Sequence, residues 1–275
     1  MNILKYGPGK KFVRAAVRLS WPIIIAGKRL SSYPVLKWII NPFFAYPWNE
    51  VTAVPINVTL SAPHTVPLPR RIVETIIARA SDIFILDTCI CRGLEKCKNH
   101  PPEIGCMALG KAARRMHPSH GHHATKEEAC AHARKAADAG LIASVAHTWI
   151  DPLAFGLPDF NRLMFICFCD DCCCLYRTHM QKRGPALNRA YIPLPGASIS
   201  VNTQLCDGCG ICADRCFAAE MKIVNGVAHP GNDCKCCGRC VELCPQGALS
   251  LTFDDELSVV KRMMERIEAV ADIRS

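Results

Sequence analysis

Residues 206–216 read CDGCGICADRC, and residues 234–245 read CKCCGRCVELCP. Both stretches contain the pattern Cys-x2-Cys-x2-Cys-x3-Cys, which chance does not readily produce twice. The chain contains 19 cysteines, many of them only one to three residues apart. That spacing is too short for good disulfide geometry within each group. The pattern therefore indicates metal ligands in a reducing compartment and argues against a secreted disulfide scaffold.

Residues 198–253 resemble the bacterial-type two-[4Fe-4S] ferredoxin domain. The resemblance includes the closing pair Cys244-Pro245 and the apolar pair Ala248-Leu249, but Phe217 stands where that family usually has proline. In such domains the fourth cysteine of each run binds the other cluster. The resemblance implies two clusters with these ligands: Cys206, Cys209, Cys212 and Cys244 for the first, and Cys234, Cys237, Cys240 and Cys216 for the second. Zinc is the alternative, but zinc sites are built from separated cysteine pairs.

A second group of cysteines lies upstream, with the spacing Cys-x-Cys-x5-Cys-x8-Cys. Four thiols within eighteen residues, entered from a predicted strand, can surround one cluster, so we predict a third cluster here. Its ligands would be Cys89, Cys91, Cys97 and Cys106. Arg92 would donate hydrogen bonds to cluster sulfide or balance the cluster charge; the alternative is an ordinary surface arginine.

A third group occupies residues 167–174, where five of the eight residues are cysteines. Adjacent cysteines point in different directions in most backbone conformations, so they do not all reach one cubane. We predict a fourth cluster that uses Cys167, Cys169, Cys172 and Cys173. The alternatives are that these thiols complete the third cluster, hold an unusual cluster, or are buried and inert.

Residues 89–174 are similar to a region found before the ferredoxin module in some larger ferredoxin-like proteins of anaerobic microbes. The similarity rests on the sequence Cys-Ile-Cys-Arg from position 89, on GCMALG at 105–110, on TKEEA at 125–129 and on the cysteines of 167–174. The similarity implies iron–sulfur electron transfer but does not indicate a substrate.

The positive charge of the chain is concentrated at its N-terminus. Residues 1–80 contain eleven Lys and Arg but two acidic residues, which accounts for the formal net charge of +9. Apolar residues recur at helical spacing from Phe12, opposite a basic face, and Pro22 is expected to limit that helix. We expect residues 1–50 to dock on a membrane surface or a membrane complex, or else to pack on the body of the protein. No run of about 18 uncharged residues suggests a membrane-spanning helix.

The predicted fold class is α+β. A C-terminal ferredoxin-like module of two hairpins and two short helices follows a mainly helical, Cys-rich N-terminal domain. The predicted divisions are 1–50 (docking segment), 51–180 (iron–sulfur domain), 181–197 (linker), 198–253 (ferredoxin module) and 254–275 (C-terminal helix).

Local patterns add detail to that outline. An extended arm is expected over 51–70, helices over 70–80, 105–116, 125–139 and 255–272, and a strand over 82–86. Thr125 is expected to cap its helix, and Asn225-Gly226 to form a hairpin turn.

The sequence lacks a Cys-x3-Cys-x2-Cys triplet, a dinucleotide-binding glycine pattern and a phosphate-binding loop. We therefore interpret the chain as an electron carrier or redox subunit that contains two [4Fe-4S] clusters and one or two more. It would pass single electrons from a donor protein to a larger redox enzyme, in the cytoplasm or at the inner face of the membrane, with no nucleic acid as partner. The alternative is an oxidoreductase whose open cluster, in the region of Cys89 and 167–174, acts on a thiol, a disulfide or another small substrate.

Overall fold

The computed structural model describes residues 5–58, 68–170, 172–177 and 184–274. Within these ranges a seven-stranded mixed sheet has the strand order β4-β2-β3-β6-β5-β1-β7. Neighbouring strands of this sheet are antiparallel, except that β1 and β7 run parallel. The strands are β1 Asn49–Val54, β2 Ile83–Leu86, β3 Met107–Leu109, β4 Gly121–His123, β5 Ile142–Thr148, β6 Met164–Cys169 and β7 Tyr191–Ile192.

Alternation along the central strands gives the sheet two different faces, because successive side chains of a strand point to opposite sides. On β6, Met164, Ile166 and Phe168 belong to one apolar core. Phe165, Cys167 and Cys169 belong to the other core. That core also contains Leu86 of β2 and Ala108 of β3. One face is therefore a hydrocarbon core, and the opposite face, called here the thiol face, carries cysteines.

Three amphipathic helices cover the hydrocarbon face: α3 Leu68–Arg79, α5 Lys126–Asp138 and α10 Glu256–Val270. The predicted cap of α5 is confirmed, since the hydroxyl of Thr125 accepts a hydrogen bond from Glu128 N in a complete capping box. Arg266 of α10 reaches Glu50 and Thr52 on β1. The C-terminal helix is thus fastened to the sheet.

The prediction of a mainly helical Cys-rich region missed this sheet. The helix expected over 105–116 is wrong: strand β3 and a 3-10 turn, Lys111–Arg115, occupy that interval. Met, Ala and Leu favour a helix in isolation, but β3 pairs with β2 and β6 on both edges. Hydrogen bonding of β3 to both neighbouring strands therefore outweighs the helix propensity of its residues.

The first helix, α1 Lys10–Leu30, lies over the thiol face. Val13, Val17 and Trp21 are buried on its inner side. Pro22 does not end the helix as expected; it only removes the hydrogen bond that its N–H would donate to the carbonyl of Arg18. Among the described residues, every helix is too short or too polar to cross a lipid bilayer.

Large apolar side chains remain exposed on the outside of α1 and on the turns that follow. Leu19 is 80% exposed and Trp38 is 77% exposed, and Ile23, Phe43 and Trp48 are exposed as well. Two short elements, α2 Lys37–Ile40 and the 3-10 turn Asn41–Phe44, carry part of this surface.

The C-terminal cysteine runs lie between the strands of two small two-stranded sheets. Strand β8 Ala197–Val201 pairs with β11 Leu249–Phe253, and β9 Met221–Val224 pairs with β10 Val227–Pro230. The predicted turn at Asn225-Gly226 is confirmed, with positive φ at both residues. Helices α8 Ile211–Asp214 and α9 Arg239–Leu243 each follow a cysteine loop.

Within the described ranges, the remaining α-helices are α4 Ile90–Glu95, α6 Ile150–Phe155 and α7 Pro185–Ala190. Helix α7 and strand β7 lie within the interval predicted as a linker, and β7 extends the large sheet. In the interval predicted as an extended arm, β1 ends at Val54, and residues 59–67 are outside the described residues.

Candidate metal centres

Thiols from both C-terminal cysteine runs meet around one small cavity. Its lining includes four cysteines, three from the first run and one from the end of the second: Cys206, Cys209, Cys212 and Cys244. The loop of the first run makes a close turn at Gly208, whose φ is +71°. A Cβ on that residue would lie 2.5 Å from the carbonyl oxygen of Gly226, so only glycine fits there.

Backbone N–H groups donate to two of these four sulfurs and to one sulfur of the second ferredoxin-type set. Ala228 N donates to Cys206 Sγ at 3.4 Å, and Ala248 N donates to Cys244 Sγ at 3.3 Å. In the second set, Cys216 Sγ accepts from Glu220 N at 3.4 Å. Such donors stabilise negative charge on sulfur, which is the arrangement that a thiolate ligand of a metal requires.

The other four ferredoxin-type cysteines also form a group. Burial, followed by the charges of Cys237, Cys234 and Cys216, raises the pKa of Cys240. Contact with the Cys236 thiol lowers the pKa of Cys234 to about 6. Since close thiols repel each other as thiolates, a cation would relieve the repulsion within this set.

Cys236 differs from its neighbours. It is buried, has a φ of +48°, and donates its S–H to the carbonyl of Ala197 at 3.2 Å. Its sulfur is thus engaged with the backbone of β8.

The thiol face of the large sheet carries an interior group of cysteines. Cys89 and Cys106 flank β2 and β3, and the pKa of Cys89 is lowered well below its usual value by contacts with the thiols of Cys106 and Cys91. Cys106 also contacts Cys167, and these thiol contacts together with burial raise its pKa well above the usual range. The structure therefore brings together Cys89, Cys91, Cys106 and Cys167.

Cys169 and Cys174 form an adjoining pair on the same face. Burial raises the pKa of both thiols, and each is in contact with the other. Strand periodicity explains the position of Cys169, which shares the side of β6 with Cys167. Cys174 was not among the predicted ligands, although its place beside two other cysteines was a signal.

Cys97 lies apart from the other cysteines of its predicted set. Its Sγ is 3.4 Å from Cys172 Sγ, which in turn is 3.3 Å from Cys173 Sγ. The ligand atoms of all three lie within 4.8 Å of one another, and Cys172 is exposed. The two predicted upstream sets are thus regrouped into an interior group and this three-thiol group at the surface.

A buried ion pair connects the regrouped sets. Arg92 Nη1 lies 3.4 Å from Asp170 Oδ2, and both side chains are almost completely buried. Arg92 also donates to the carbonyl oxygens of Pro101, Phe168 and Ile104. The interpretation of Arg92 as a surface arginine is therefore wrong.

Asp170 holds the turn that carries the surface thiols. Its Oδ1 accepts hydrogen bonds from the backbone N–H groups of Cys172, Cys173 and Cys174. Burial opposes its ionisation, but the N–H donors of Cys173 and Cys172, with Arg92, outweigh burial and lower the pKa of Asp170. The sequence pattern of cysteines did not identify this residue.

Helix α1 contributes a cation to the thiol face. Lys28 is buried, and its Nζ donates to the carbonyl of Leu175 at 2.6 Å. Burial lowers the pKa of Lys28 to about 8, although the neighbouring thiols of Cys174, Cys91 and Cys169 act in the opposite direction. Beside it is a largely apolar cavity of about 60 Å³, which Tyr176 and Tyr191 also line.

Several buried donors on the thiol face have no regular hydrogen bond among the described residues. They are Nε and Nη2 of Arg177, Oγ of Ser144 and the hydroxyl of Tyr191. Ser144 is in contact with the Cys169 thiol and the Tyr191 hydroxyl, and Arg177 and Tyr191 both interact electrostatically with Cys169 and Cys174. Unsatisfied donors around thiols fit a cofactor that brings acceptors of its own, such as the sulfides of an iron–sulfur cluster.

Comparisons of the chain with protein-family models, curated proteins and solved structures give no match. Its function is therefore inferred from the chemistry and geometry of its cysteines.

Proposed function

We propose that the protein is a multi-cluster iron–sulfur electron-transfer protein that relays single electrons between a donor protein and a larger redox enzyme or complex. The observation that carries the proposal is the cavity lined by Cys206, Cys209, Cys212 and Cys244. Three ligands from one run and one from the other is the crossed arrangement of a two-cluster ferredoxin. The C-terminal hairpins and short helices would then form a module of that type, with a second cluster at Cys216, Cys234, Cys237 and Cys240.

The upstream thiols support one or two additional clusters. The interior group offers four cysteines for a third cluster, and the unsatisfied donors near Cys169 and Cys174 suit negatively charged sulfur. When bound, the clusters supply the redox chemistry. The chain supplies the ligands, excludes water, and fixes the charges around each cluster.

Metal analysis after anaerobic purification tests the proposal. We expect about eight iron atoms per chain for the C-terminal pair alone and about sixteen for four cubanes, with matching acid-labile sulfide. Replacement of Cys206 and Cys209 by alanine should remove one cluster, whereas the same change at Cys130, which lies on α5 outside these groups, should leave the iron content unchanged. Folded protein that is colourless and free of iron would refute the proposal.

The surface group Cys97, Cys172 and Cys173 favours a second candidate function. Three thiols leave one coordination position open, and Cys172 is exposed. A site-differentiated cluster at this position would bind a thiol, a disulfide or another small substrate, and the C-terminal clusters would deliver its electrons. A change in the EPR signal of one cluster on addition of small thiols would favour the enzyme, and an unchanged signal would favour the simple relay.

For the N-terminal segment we propose docking on an anionic membrane surface. Trp38 and Phe43 are exposed aromatic side chains, and α1 has exposed basic residues, including Arg18 and Arg29. Lys37 Nζ lies 5.6 Å from the centroid of the Trp38 ring. Aromatic and basic groups together suit the interface of an anionic bilayer. The inner side of α1 meanwhile packs on the sheet, so that one helix joins this surface to the thiol face.

A further inference from the structure

Arg177 is an unusual buried cation. Its side chain is 1% exposed, and neither Nε nor Nη2 has a hydrogen-bond partner among the described residues. The guanidinium lies over the ring of Phe217, 4.8 Å from its centroid. Burial of a charged group without partners is costly, and Arg92 shows how the same chain satisfies a buried guanidinium with three carbonyls and a carboxylate.

The Phe217 ring under Arg177 belongs to the buried cluster that contains Cys169 and Cys174, and Cys237 packs against the same cluster. The groups near Arg177 thus come from two cysteine sets. Burial opposes its charge, but interactions with Cys237, Tyr191, Cys169 and Cys174 together raise its pKa. Cys237 belongs to the second ferredoxin-type set, and Cys169 and Cys174 belong to the thiol face. Phe217 follows Cys216 directly and packs edge-on against Tyr191 of β7.

We propose that Arg177 lies at the junction of two iron–sulfur centres, where its free N–H groups donate to their sulfur atoms and raise the reduction potential of both. One centre is held by Cys216, Cys234, Cys237 and Cys240, and the other is on the thiol face near Cys169 and Cys174. This inference rests on the proposed function.

The physical reason is the charge of the reduced state. Each centre gains one electron from its neighbour or from an external donor protein and passes that electron on, while Arg177 remains protonated throughout. A fixed positive charge and N–H···S hydrogen bonds stabilise the more negative, reduced cluster. Arg177 would thus keep two adjacent centres reducible at the same time, acting as a positioning and tuning residue.

The experiment is a redox titration followed by EPR on iron-loaded full-length protein, for the unchanged chain and for Arg177→Gln and Arg177→Lys. We expect Arg177→Gln to lower the reduction equilibrium constant of two centres at least tenfold, which is about 59 mV for a one-electron couple. Arg177→Lys should give a smaller shift in the same direction. The centre at Cys206 and Cys209 should shift less than these two, because the strongest thiol interactions of Arg177 are with Cys237, Cys169 and Cys174.

Arg266→Gln is the matched control. Arg266 is also largely buried, but its charge is balanced by Glu50, and no thiol acts on it. Potentials that match those of the control, at equal iron content, would overturn the inference and leave the proposed function standing. A uniform shift of every centre would also overturn it. An iron-free parent protein would instead remove the proposed function itself.

If Arg177→Gln does not retain iron, Phe217→Leu provides the test. This change keeps the charge and removes the ring on which the guanidinium rests. A lowered potential at the same two centres would support the inference, and unchanged potentials would contradict it.

Discussion

The ion pair between Arg92 and Asp170 offers a sharp test of how the cysteine groups are held. We predict that Asp170→Asn strongly destabilises the fold. The asparagine oxygen can still accept from the N–H groups of the 172–174 turn, so the change mainly removes the negative charge. Arg92 would then be a buried cation that has lost its carboxylate partner.

The magnitude follows from burial. The side chains of Arg92 and Asp170 are 0% and 1% exposed, and breaking a buried pair from one side costs about 3–5 kcal/mol. Asp82 and Arg114 form a pair at 2.6 Å in which the arginine side chain is 59% exposed. Loss of a pair of that kind costs about 0–1 kcal/mol, so Asp82→Asn is the matched control.

The assay is denaturant unfolding followed by far-UV circular dichroism, with anaerobically prepared protein. The free energy of unfolding of a domain is roughly 5–15 kcal/mol. The predicted loss is a large fraction of that, so the denaturant midpoint should fall markedly. The midpoint for iron release should fall together with the unfolding midpoint, because the Arg92–Asp170 pair anchors the turn that carries Cys172 and Cys173 to the interior. Equal midpoints for Asp170→Asn and Asp82→Asn would refute the reasoning.

Three further predictions concern other parts of the chain. Burial lowers the pKa of His147 below its usual value of 6.5, so the unfolded state binds the proton more readily than the folded state. The free energy of unfolding should therefore fall as the pH drops through 6.5. His147→Gln should make the denaturant midpoint less dependent on pH, and an unchanged pH dependence would contradict this role of His147. Trp38→Ser should weaken flotation with phosphatidylserine vesicles by about tenfold, while equal binding of both proteins would exclude this surface as the contact. Cys97→Ala should remove up to about four iron atoms per chain and Cys130→Ala none, and equal iron contents would argue against the surface group.

Where local chemistry decides the structure, the sequence is a good guide. The capping box at Thr125 and the turn at Asn225-Gly226 each depend on a few adjacent residues, and both are found as predicted. The strand before Cys89 was also predicted, because Ile83–Leu86 is a short apolar run between polar residues. The amphipathic C-terminal helix likewise agrees with its pattern.

The missed parts depend on contacts between distant residues. Strand β5 is a run of small and β-branched residues whose place is set by pairing with β1 and β6 on either side. The partners of Cys97 are more than seventy positions away, so spacing along the chain could not identify them. Arg177 and Lys28 act on the thiols only because the fold buries them there.

The position of α1 has a consequence for how the protein is made. This helix precedes every strand that it covers, yet Val13, Val17 and Trp21 have nothing to pack against until those strands exist. Helix α1 therefore cannot close over the interior cysteines before those strands have formed. On the proposed function, the interval before α1 docks is when iron and sulfide have the most open access to these cysteines.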